Sequence, residues 1–191
     1  MRCIQLNVNR SSTVHDLLQR MGEETGADIL LVCEPNRKRI DGSDWYVDCL
    51  QDAAIKVLGR ETIVDRYGSG EGHVWIETGP YRFIGAYVCP SSGWGAYERR
   101  LEEVGVCVRS SRRQVLLAGD FNAKSPLWGS KREDHRGAAL ADLLAQCDLT
   151  VLNQGNQPTF VGAGGSSTID MTCASAGLAQ RVVEWRVEEQ E

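Results

Sequence analysis

A series of short apolar segments with no helical pattern among them, within residues 45 to 88, most strongly constrains how this chain can fold. In order, and separated by turn residues, the segments are WYVDC, AAIKVLG, ETIVD, GHVWIET and YRFIGAYV. Successive strands joined by short turns pair in antiparallel fashion. The middle of the chain is therefore predicted to form antiparallel sheet.

Strands alternate with helices on both sides of this region. Two strands are predicted at CIQLNV (3 to 8) and ADILLVCE (27 to 34). Between them, a helix is predicted over 12 to 26, with Ser12 or Thr13 as its N-terminal cap and Gly26 as its end. Further helices are predicted near 95 to 110 and 137 to 147, and further strands at QVLLAGD, LTVLN, STIDMTCA and VVEWRV. The pattern predicts one layered α/β domain with mixed sheets, because the Gly-rich loop VGAGGSS (161 to 167) is too short to separate domains.

Composition excludes several classes of protein. No apolar run approaches the roughly 20 residues of a membrane helix, and MRCIQLNVNR lacks the apolar core of a secretory signal. Seven scattered cysteines, with no C-x-x-C pair, predict reduced and buried thiols in a cytosolic or nuclear protein. A net charge of −5 argues against binding nucleic acid through bulk positive charge.

Polar residues lie within or at the ends of several predicted strands, where catalytic groups often collect. They are Asn7, Glu34, Tyr87, Asp120, Asn122 and Asp170. Each has a structural alternative: Asp120 and Asn122, for example, could only make local turn hydrogen bonds. Together they supply oxygen ligands without paired Cys or His, which suits Mg²⁺, with Mn²⁺ as an alternative, and phosphate chemistry.

The motifs IQLNVN, LLVCEPN, YVCP, LLAGDFNAKSPLWG, PTF and SSTIDMT occur in one order along the chain. In that order they resemble the endonuclease/exonuclease/phosphatase superfamily. More closely, residues 3 to about 187 resemble the apurinic-endonuclease-like domain of arthropod non-LTR retrotransposons. The resemblance implies a four-layer α/β sandwich of the deoxyribonuclease-I type, with two packed mixed, mostly antiparallel sheets flanked by helices.

The resemblance also implies roles for the polar residues. Asn7 and Glu34 would place the metal, Tyr87 and Asn122 would contact the scissile phosphate, and Asp120 would orient or activate water. Asp170 would be the partner of a catalytic histidine. The small residues after Asp120 would let the DNA backbone approach.

One part of the family pattern is absent from the sequence. The family has its catalytic histidine in an S-D-H motif after the last strand, and the 191 residues contain no such motif. His15, His73 and His135 are poor substitutes by position, so the single endonuclease domain is expected to lack its catalytic-histidine segment. The alternatives are another phosphodiesterase of the superfamily, such as an apurinic-site repair endonuclease, an inositol-polyphosphate phosphatase or a deadenylase, or an inactive DNA-binding or protein-binding module.

The function implied by the resemblance is Mg²⁺-dependent nicking of one DNA strand, leaving a 3′-hydroxyl that primes reverse transcription. The implied partners are double-stranded target DNA and the reverse transcriptase domain of the same polyprotein. The expected place of action is the nucleus, after synthesis in the cytoplasm, and no membrane is involved. Loops are expected to select the site. The DNA-binding candidates are Arg37, Lys124, Lys131, Arg132, Thr159 and Ser167, together with the loops 37 to 39 and 91 to 95 and the Gly-rich hairpin 161 to 167.

Overall fold

The computed structural model describes residues 1–155, 157–162 and 165–188. The helices are α1 (Ser12–Thr25), α2 (Trp94–Arg109), α3 (His135–Gln146) and α4 (Ala176–Ala179), with a 3-10 helix at Pro126–Trp128. The strands are β1 (Cys3–Asn7), β2 (Ile29–Cys33), β3 (Trp45–Val47), β4 (Ala53–Val57), β5 (Arg66–Gly70), β6 (His73–Thr78), β7 (Tyr81–Tyr87), β8 (Gln114–Asp120), β9 (Leu149–Val151), β10 (Phe160–Gly162), β11 (Gly165–Ser167) and β12 (Asp170–Ser175). None of the helices in these residues is long and apolar enough to cross a membrane.

The chain forms two compact units. The first unit comprises Met1–Tyr87 and Leu117–Gly119, and the second comprises Val88–Leu116 and Asp120–Glu191. One four-stranded sheet has the order β1-β2-β4-β3, and a six-stranded sheet has the order β5-β6-β7-β8-β12-β9.

The first unit is built on the strand ILLVC of β2, in which every residue is buried. β2 pairs in parallel with β1 and antiparallel with β4, and α1 packs against β2. β5, β6 and β7 form the antiparallel meander expected for the middle of the chain. β2 and β4 contact β7, and β4 also contacts β6, so the two sheets pack face to face here. The buried apolar side chains between them exclude water and stabilise the sandwich.

In the second unit, helices pack on one another and on strands. α2 contacts α3, α3 contacts β9, and α4 contacts β12, which pairs antiparallel with β9. The predicted fold class, an α/β sandwich with two packed sheets and flanking helices, is confirmed.

Three local predictions are wrong. The cap of α1 is Ser11, whose side chain accepts a hydrogen bond from the Val14 N–H, and not Ser12 or Thr13. Residues 61 to 65 are not a strand, and the exposed strand β5 follows them. Residues 182 to 187 form no strand. The Gly-rich segment 161 to 167 forms the expected hairpin, in which β10 pairs with β11, and residues 163 and 164 lie outside the described residues.

Most of the seven cysteines are not buried. Cys33, Cys107 and Cys173 are buried, whereas Cys49 is exposed and the other three are half-buried. Burial raises the pKa of the Cys173 thiol far above its usual range. The prediction of buried thiols therefore holds for Cys33, Cys107 and Cys173 and is wrong for the other four, because apolar neighbours in the sequence do not fix which face of an element a cysteine occupies.

Candidate active site

In the first unit, Asn7 and Glu34 meet at the ends of two parallel strands. The register of β1 and β2 pairs Asn7 with Cys33, which places Glu34 directly after the paired residue. Asn7 Nδ2 donates to Glu34 Oε2 at 3.0 Å, and Asn7 Oδ1 accepts from the Asn9 N–H at 2.8 Å. The two residues that the sequence assigned to the metal are therefore in direct contact, with Asn7 orienting the carboxylate.

The backbone at Glu34 is held in a strained conformation. Its φ is 47°, in the left-handed region that non-glycine residues rarely adopt. The Glu34 N–H donates to the Asp52 carbonyl at 2.8 Å, and the Glu34 carbonyl accepts from the Arg10 N–H at 2.9 Å. The Arg10 guanidinium also donates to the Pro35 carbonyl at 3.2 Å and pairs with the Asp52 carboxylate. Such strain persists only where the surroundings hold it, and it is found most often at functional sites.

Three residues packed together in the first unit each precede a predicted site residue. Cys33 Sγ donates to the Ala86 carbonyl at 3.3 Å. Gly119 approaches that carbonyl so closely that a Cβ on Gly119 would lie 1.8 Å from the Ala86 oxygen. Glu34, Tyr87 and Asp120 follow Cys33, Ala86 and Gly119 in the sequence. Tyr87 itself is buried, and its N–H donates to the Gly72 carbonyl at 2.8 Å.

In the second unit, Asp120 and Asn122 form a tight turn at the end of β8. Asp120 is only 3% exposed, and its Oδ1 accepts from the Asn122 N–H at 2.9 Å. Asn122 has a φ of 46° and donates through Nδ2 to the Val88 carbonyl at 3.0 Å. The Val88 N–H in turn donates to the Asp120 carbonyl at 2.9 Å. The turn hydrogen bonds predicted as the structural alternative are present, and they fix both side chains.

The small residues that follow Asp120 are packed inside the protein. Ala123 and Ser125 are fully buried, and the buried Trp128 donates through Nε1 to the Ala123 carbonyl at 3.1 Å. Ser125 caps the 3-10 helix. Packing around Trp128 therefore explains why these residues are small. The expectation that they are small to admit DNA is wrong for Ala123 and Ser125.

Asp170 lies at the start of β12 and is half-buried. Thr159 Oγ1 accepts from the Asp170 N–H at 3.1 Å and from the Ile169 N–H at 3.2 Å. Asn153 Nδ2 donates to the Asp170 carbonyl at 3.0 Å, and Asn153 Oδ1 accepts from the Thr172 N–H at 2.8 Å. Thr159, predicted to bind DNA, thus positions the backbone of Asp170, and Asn153 is a supporting residue that the sequence analysis missed.

The basic DNA-binding candidates are on the surface. Arg37, Lys124, Lys131 and Arg132 are exposed, and the Arg37 guanidinium donates to the Leu50 carbonyl at 3.2 Å. Ser167 is half-buried in β11 opposite Phe160, which is 52% exposed. These surface groups lie where a ligand can reach them, and their binding of DNA stays a prediction.

The three histidines differ in environment. His15 is fully buried, its Nδ1 accepts from the Asn36 N–H at 3.2 Å, and burial lowers its pKa below the usual value. His73 is also buried, at the start of β6. His135 is exposed and stacks on Trp94 with 3.7 Å between ring centroids. That none of the three is catalytic stays a prediction.

Glu34 fits a site that holds one hard cation with few protein ligands. No three His, Cys, Asp or Glu side chains in the described part of the chain cluster as a self-contained metal site. Mg²⁺ does not need such a cluster, because proteins usually hold it by one or two carboxylates while phosphate and water complete the coordination. Glu34, with Oε2 fixed by Asn7, has the chemistry of such a ligand.

Comparison with known proteins gives the family. The sequence model of the family described as endonuclease-reverse transcriptase matches residues 81–191, which is more than half of the chain. The chain belongs to this family. It is 28% identical over 159 residues to the Pol polyprotein of the type-1 retrotransposable element R1 of Bradysia coprophila, covering 78% of this chain and 15% of that protein. It is 32% identical over 167 residues to a putative 115 kDa protein in the element R1DM of Drosophila melanogaster, covering 79% of this chain and 16% of that protein.

Solved structures show the same relationship. The endonuclease domain of TRAS1, a telomere-specific non-LTR retrotransposon, matches with a TM-score of 0.81 and 26% identity, over 96% of this chain and 89% of that one. An AP endonuclease from Archaeoglobus fulgidus matches with a TM-score of 0.73 and 15% identity, over 95% and 89%, and shares the fold. The predicted resemblance to non-LTR retrotransposon endonuclease domains is confirmed, and the fold is that of nuclease hydrolases. The chain spans about 15% of the length of the two retrotransposon proteins, from Bradysia coprophila and Drosophila melanogaster, to which its sequence is similar.

Proposed function

We propose that this domain nicks one strand of duplex DNA by metal-assisted hydrolysis of a phosphodiester bond. The observation that carries the proposal is the Glu34 carboxylate, fixed by Asn7 at 3.0 Å on a strained backbone, in a member of an endonuclease family. Mg²⁺, or Mn²⁺ in its place, would supply charge neutralisation at the phosphate and the leaving oxygen.

The residues of the chain take separate parts in this reaction. Glu34 holds the metal, and Asn7 keeps its carboxylate in one orientation. Asp120, a carboxylate locked by the Asn122 N–H, accepts the proton of the attacking water. Asn122 and Tyr87 contact the phosphate.

Asp170 completes the set as the partner of a catalytic histidine. The support for this role is the anchoring of the Asp170 backbone by Thr159 and Asn153. Aspartate in that position keeps an imidazole in one orientation and tautomer.

The product is a nick with a 3′-hydroxyl, which primes reverse transcription by a partner domain of the same polyprotein, in the nucleus. The support for this partner is that a further relative, 34% identical over 96 residues, is a probable RNA-directed DNA polymerase from the X-element transposon of Drosophila melanogaster. Arg37, Lys124, Lys131 and Arg132 would contact the DNA backbone, so that binding weakens as salt rises.

Conversion of supercoiled plasmid to open circles tests the proposal. We expect nicking in Mg²⁺ and none in EDTA, and we expect DNA polymerase to extend the nicked product because it carries a free 3′-hydroxyl. Asp120→Asn and Glu34→Gln should each lower the nicking rate by about 10²- to 10⁴-fold. The matched controls Asp142→Asn and Glu98→Gln change exposed helix residues and should leave the rate unchanged.

The same assay separates the rival functions. Faster cleavage of an abasic duplex than of plasmid would indicate a repair endonuclease, and phosphate release from a phosphoinositide would indicate a phosphatase. Metal-independent DNA binding without nicking would indicate an inactive binding module. Full activity of Asp120→Asn would end the proposed mechanism.

A further inference from the structure

Asp48 is a buried carboxylate whose hydrogen bonds run entirely to the backbone of neighbouring turns. It is 3% exposed and lies after β3, in a segment to which the sequence analysis gave no role. Its Oδ1 accepts from the N–H groups of Asp52 at 2.6 Å and Ala53 at 2.8 Å. Its Oδ2 accepts from the N–H groups of Leu50 at 3.0 Å and Gly72 at 2.9 Å. One side chain therefore ties the turn before β4 to the turn before β6.

Two of these four donors continue to the candidate active site within the first unit. The Asp52 carbonyl accepts from the Glu34 N–H, and the Gly72 carbonyl accepts from the Tyr87 N–H, each at 2.8 Å. The backbone of Asp52 is thus held by Asp48 through its N–H and holds Glu34 through its carbonyl. Gly72 does the same for Tyr87.

Glu34 needs such support more than an ordinary strand residue does. Its φ of 47° is one that a glutamate keeps only when neighbouring groups hold it. Loss of the Asp52 support would let the peptide relax toward an extended conformation, which changes the direction in which the side chain leaves the backbone. A metal ligand that moves in this way loses affinity, because ligand orientation depends on the groups behind it.

A carboxylate is the side chain that this position requires. Both of its oxygens accept, so four N–H donors are satisfied at once. Asparagine has nearly the same shape but only one oxygen, and its NH₂ group would face two backbone donors. The Asp48→Asn change therefore breaks two of the four hydrogen bonds without opening a cavity.

We propose that Asp48 is a positioning residue for the nuclease reaction, holding Glu34 through Asp52 and Tyr87 through Gly72. This inference rests on the proposed function for its catalytic consequence. Its structural consequence, that Asp48 controls the backbone of Glu34 and Tyr87, stands apart from it.

The test compares Asp48→Asn with a matched change elsewhere in the first unit. Glu77→Gln also converts a buried carboxylate to an amide, but Glu77 pairs with Arg82, whose Nη2 lies 2.6 Å from Glu77 Oε1. We expect Asp48→Asn to raise the Mg²⁺ concentration for half-maximal plasmid nicking about 10- to 100-fold, or to lower kcat by that factor. The KM for plasmid should stay within about threefold in both variants. Glu77→Gln should keep the wild-type Mg²⁺ dependence even if it lowers stability.

Amide hydrogen exchange of the protein without metal supplies the readout that does not depend on activity. In Asp48→Asn, the amides of Glu34 and Tyr87 should exchange at least about tenfold faster than in the wild type, whereas the β2 amide of Leu31 should not. If Asp48→Asn does not fold, hydrogen exchange of the wild type alone tests the inference. The amides of Asp52, Gly72, Glu34 and Tyr87 should then show similar protection from exchange, because they open together.

The outcomes separate the inference from the proposed function. Wild-type protein that never nicks DNA refutes the function, and the exchange rates then decide the positioning role alone. Wild-type exchange at Glu34 and Tyr87 in folded Asp48→Asn overturns the inference. So does an unchanged Mg²⁺ dependence and kcat in an active enzyme, or independent exchange of the four amides in the wild type.

Discussion

Gly119 is a residue at which adding a single methyl group should damage the fold. A Cβ there would lie 1.8 Å from the oxygen and 2.8 Å from the carbon of the Ala86 carbonyl. Real Cβ atoms stay at least 3.0 Å from other heavy atoms, so the two backbones would have to separate by roughly an ångström. Because backbone, unlike a side-chain end, cannot rotate away, Gly119→Ala should cost about 3 kcal/mol or more, the upper part of the range for overpacking.

Urea unfolding followed by tryptophan fluorescence measures this cost. With an m-value of about 2 kcal/mol/M, a loss of about 3 kcal/mol lowers the unfolding midpoint by about 1.5 M. Gly85→Ala on β7 is the matched control, because a Cβ there meets its nearest neighbour, in Ile55, at 3.5 Å, an ordinary van der Waals contact. That variant should stay within about 1 kcal/mol of wild type. Equal midpoints for the two variants, or a loss below about 1 kcal/mol in Gly119→Ala, would refute the close approach.

Two further predictions concern other parts of the fold. Burial lowers the pKa of His15, so as the pH falls, His15 is protonated in the unfolded chain before it is protonated in the folded protein. The free energy of unfolding should therefore fall as the pH drops below about 6.5, by at most about 1.4 kcal/mol per pH unit. The difference between the urea midpoints at pH 7.5 and pH 5.5 should therefore be larger in the wild type than in His15→Gln. Equal differences in the two proteins would contradict the lowered pKa of His15. Asp134→Ala should cost about 1 to 2 kcal/mol in the same assay at pH 7.5, since Asp134 Oδ1 caps α3 through the Gly137 N–H at 2.7 Å and also accepts from the Lys124 N–H at 3.1 Å. Asp134→Asn keeps an oxygen that can accept these hydrogen bonds, so it should cost less than Asp134→Ala. If the two variants lose the same free energy of unfolding, Asp134 does not stabilise α3 through hydrogen bonding.

Elements with a strong local pattern were predictable from the sequence, and those that depend on a distant partner were not. The apolar run of β2 and the amphipathic α1 required only periodicity and a stop at Gly26. β5, with the sequence RYGSG, has no apolar alternation and exists as a strand because β6 pairs with it. Residues 182 to 187 alternate well, but Val183 is fully exposed and no strand forms. Alternation predicts a strand only where a buried face is available to it.

The same division holds at the candidate site. Glu34 and Asp120 could be identified because they lie in motifs whose order resembles a known family. Asp48 could not, because its role depends on hydrogen bonds that include one to Gly72, 24 residues away. Its only local sign was an aspartate within WYVDC, a segment predicted to be a strand, and that sign is shared by many residues without such a role.

Glu34 and Asn122 share a backbone conformation that most side chains avoid, with φ of 47° and 46°. Backbone strain alone would favour glycine at both positions, since glycine adopts this region without penalty. The proposed chemistry instead needs a carboxylate at one and an amide at the other. At these two positions, relief of backbone strain calls for glycine, whereas the proposed catalysis calls for the native side chains. Substitutions that raise thermal stability are therefore best sought elsewhere in the chain.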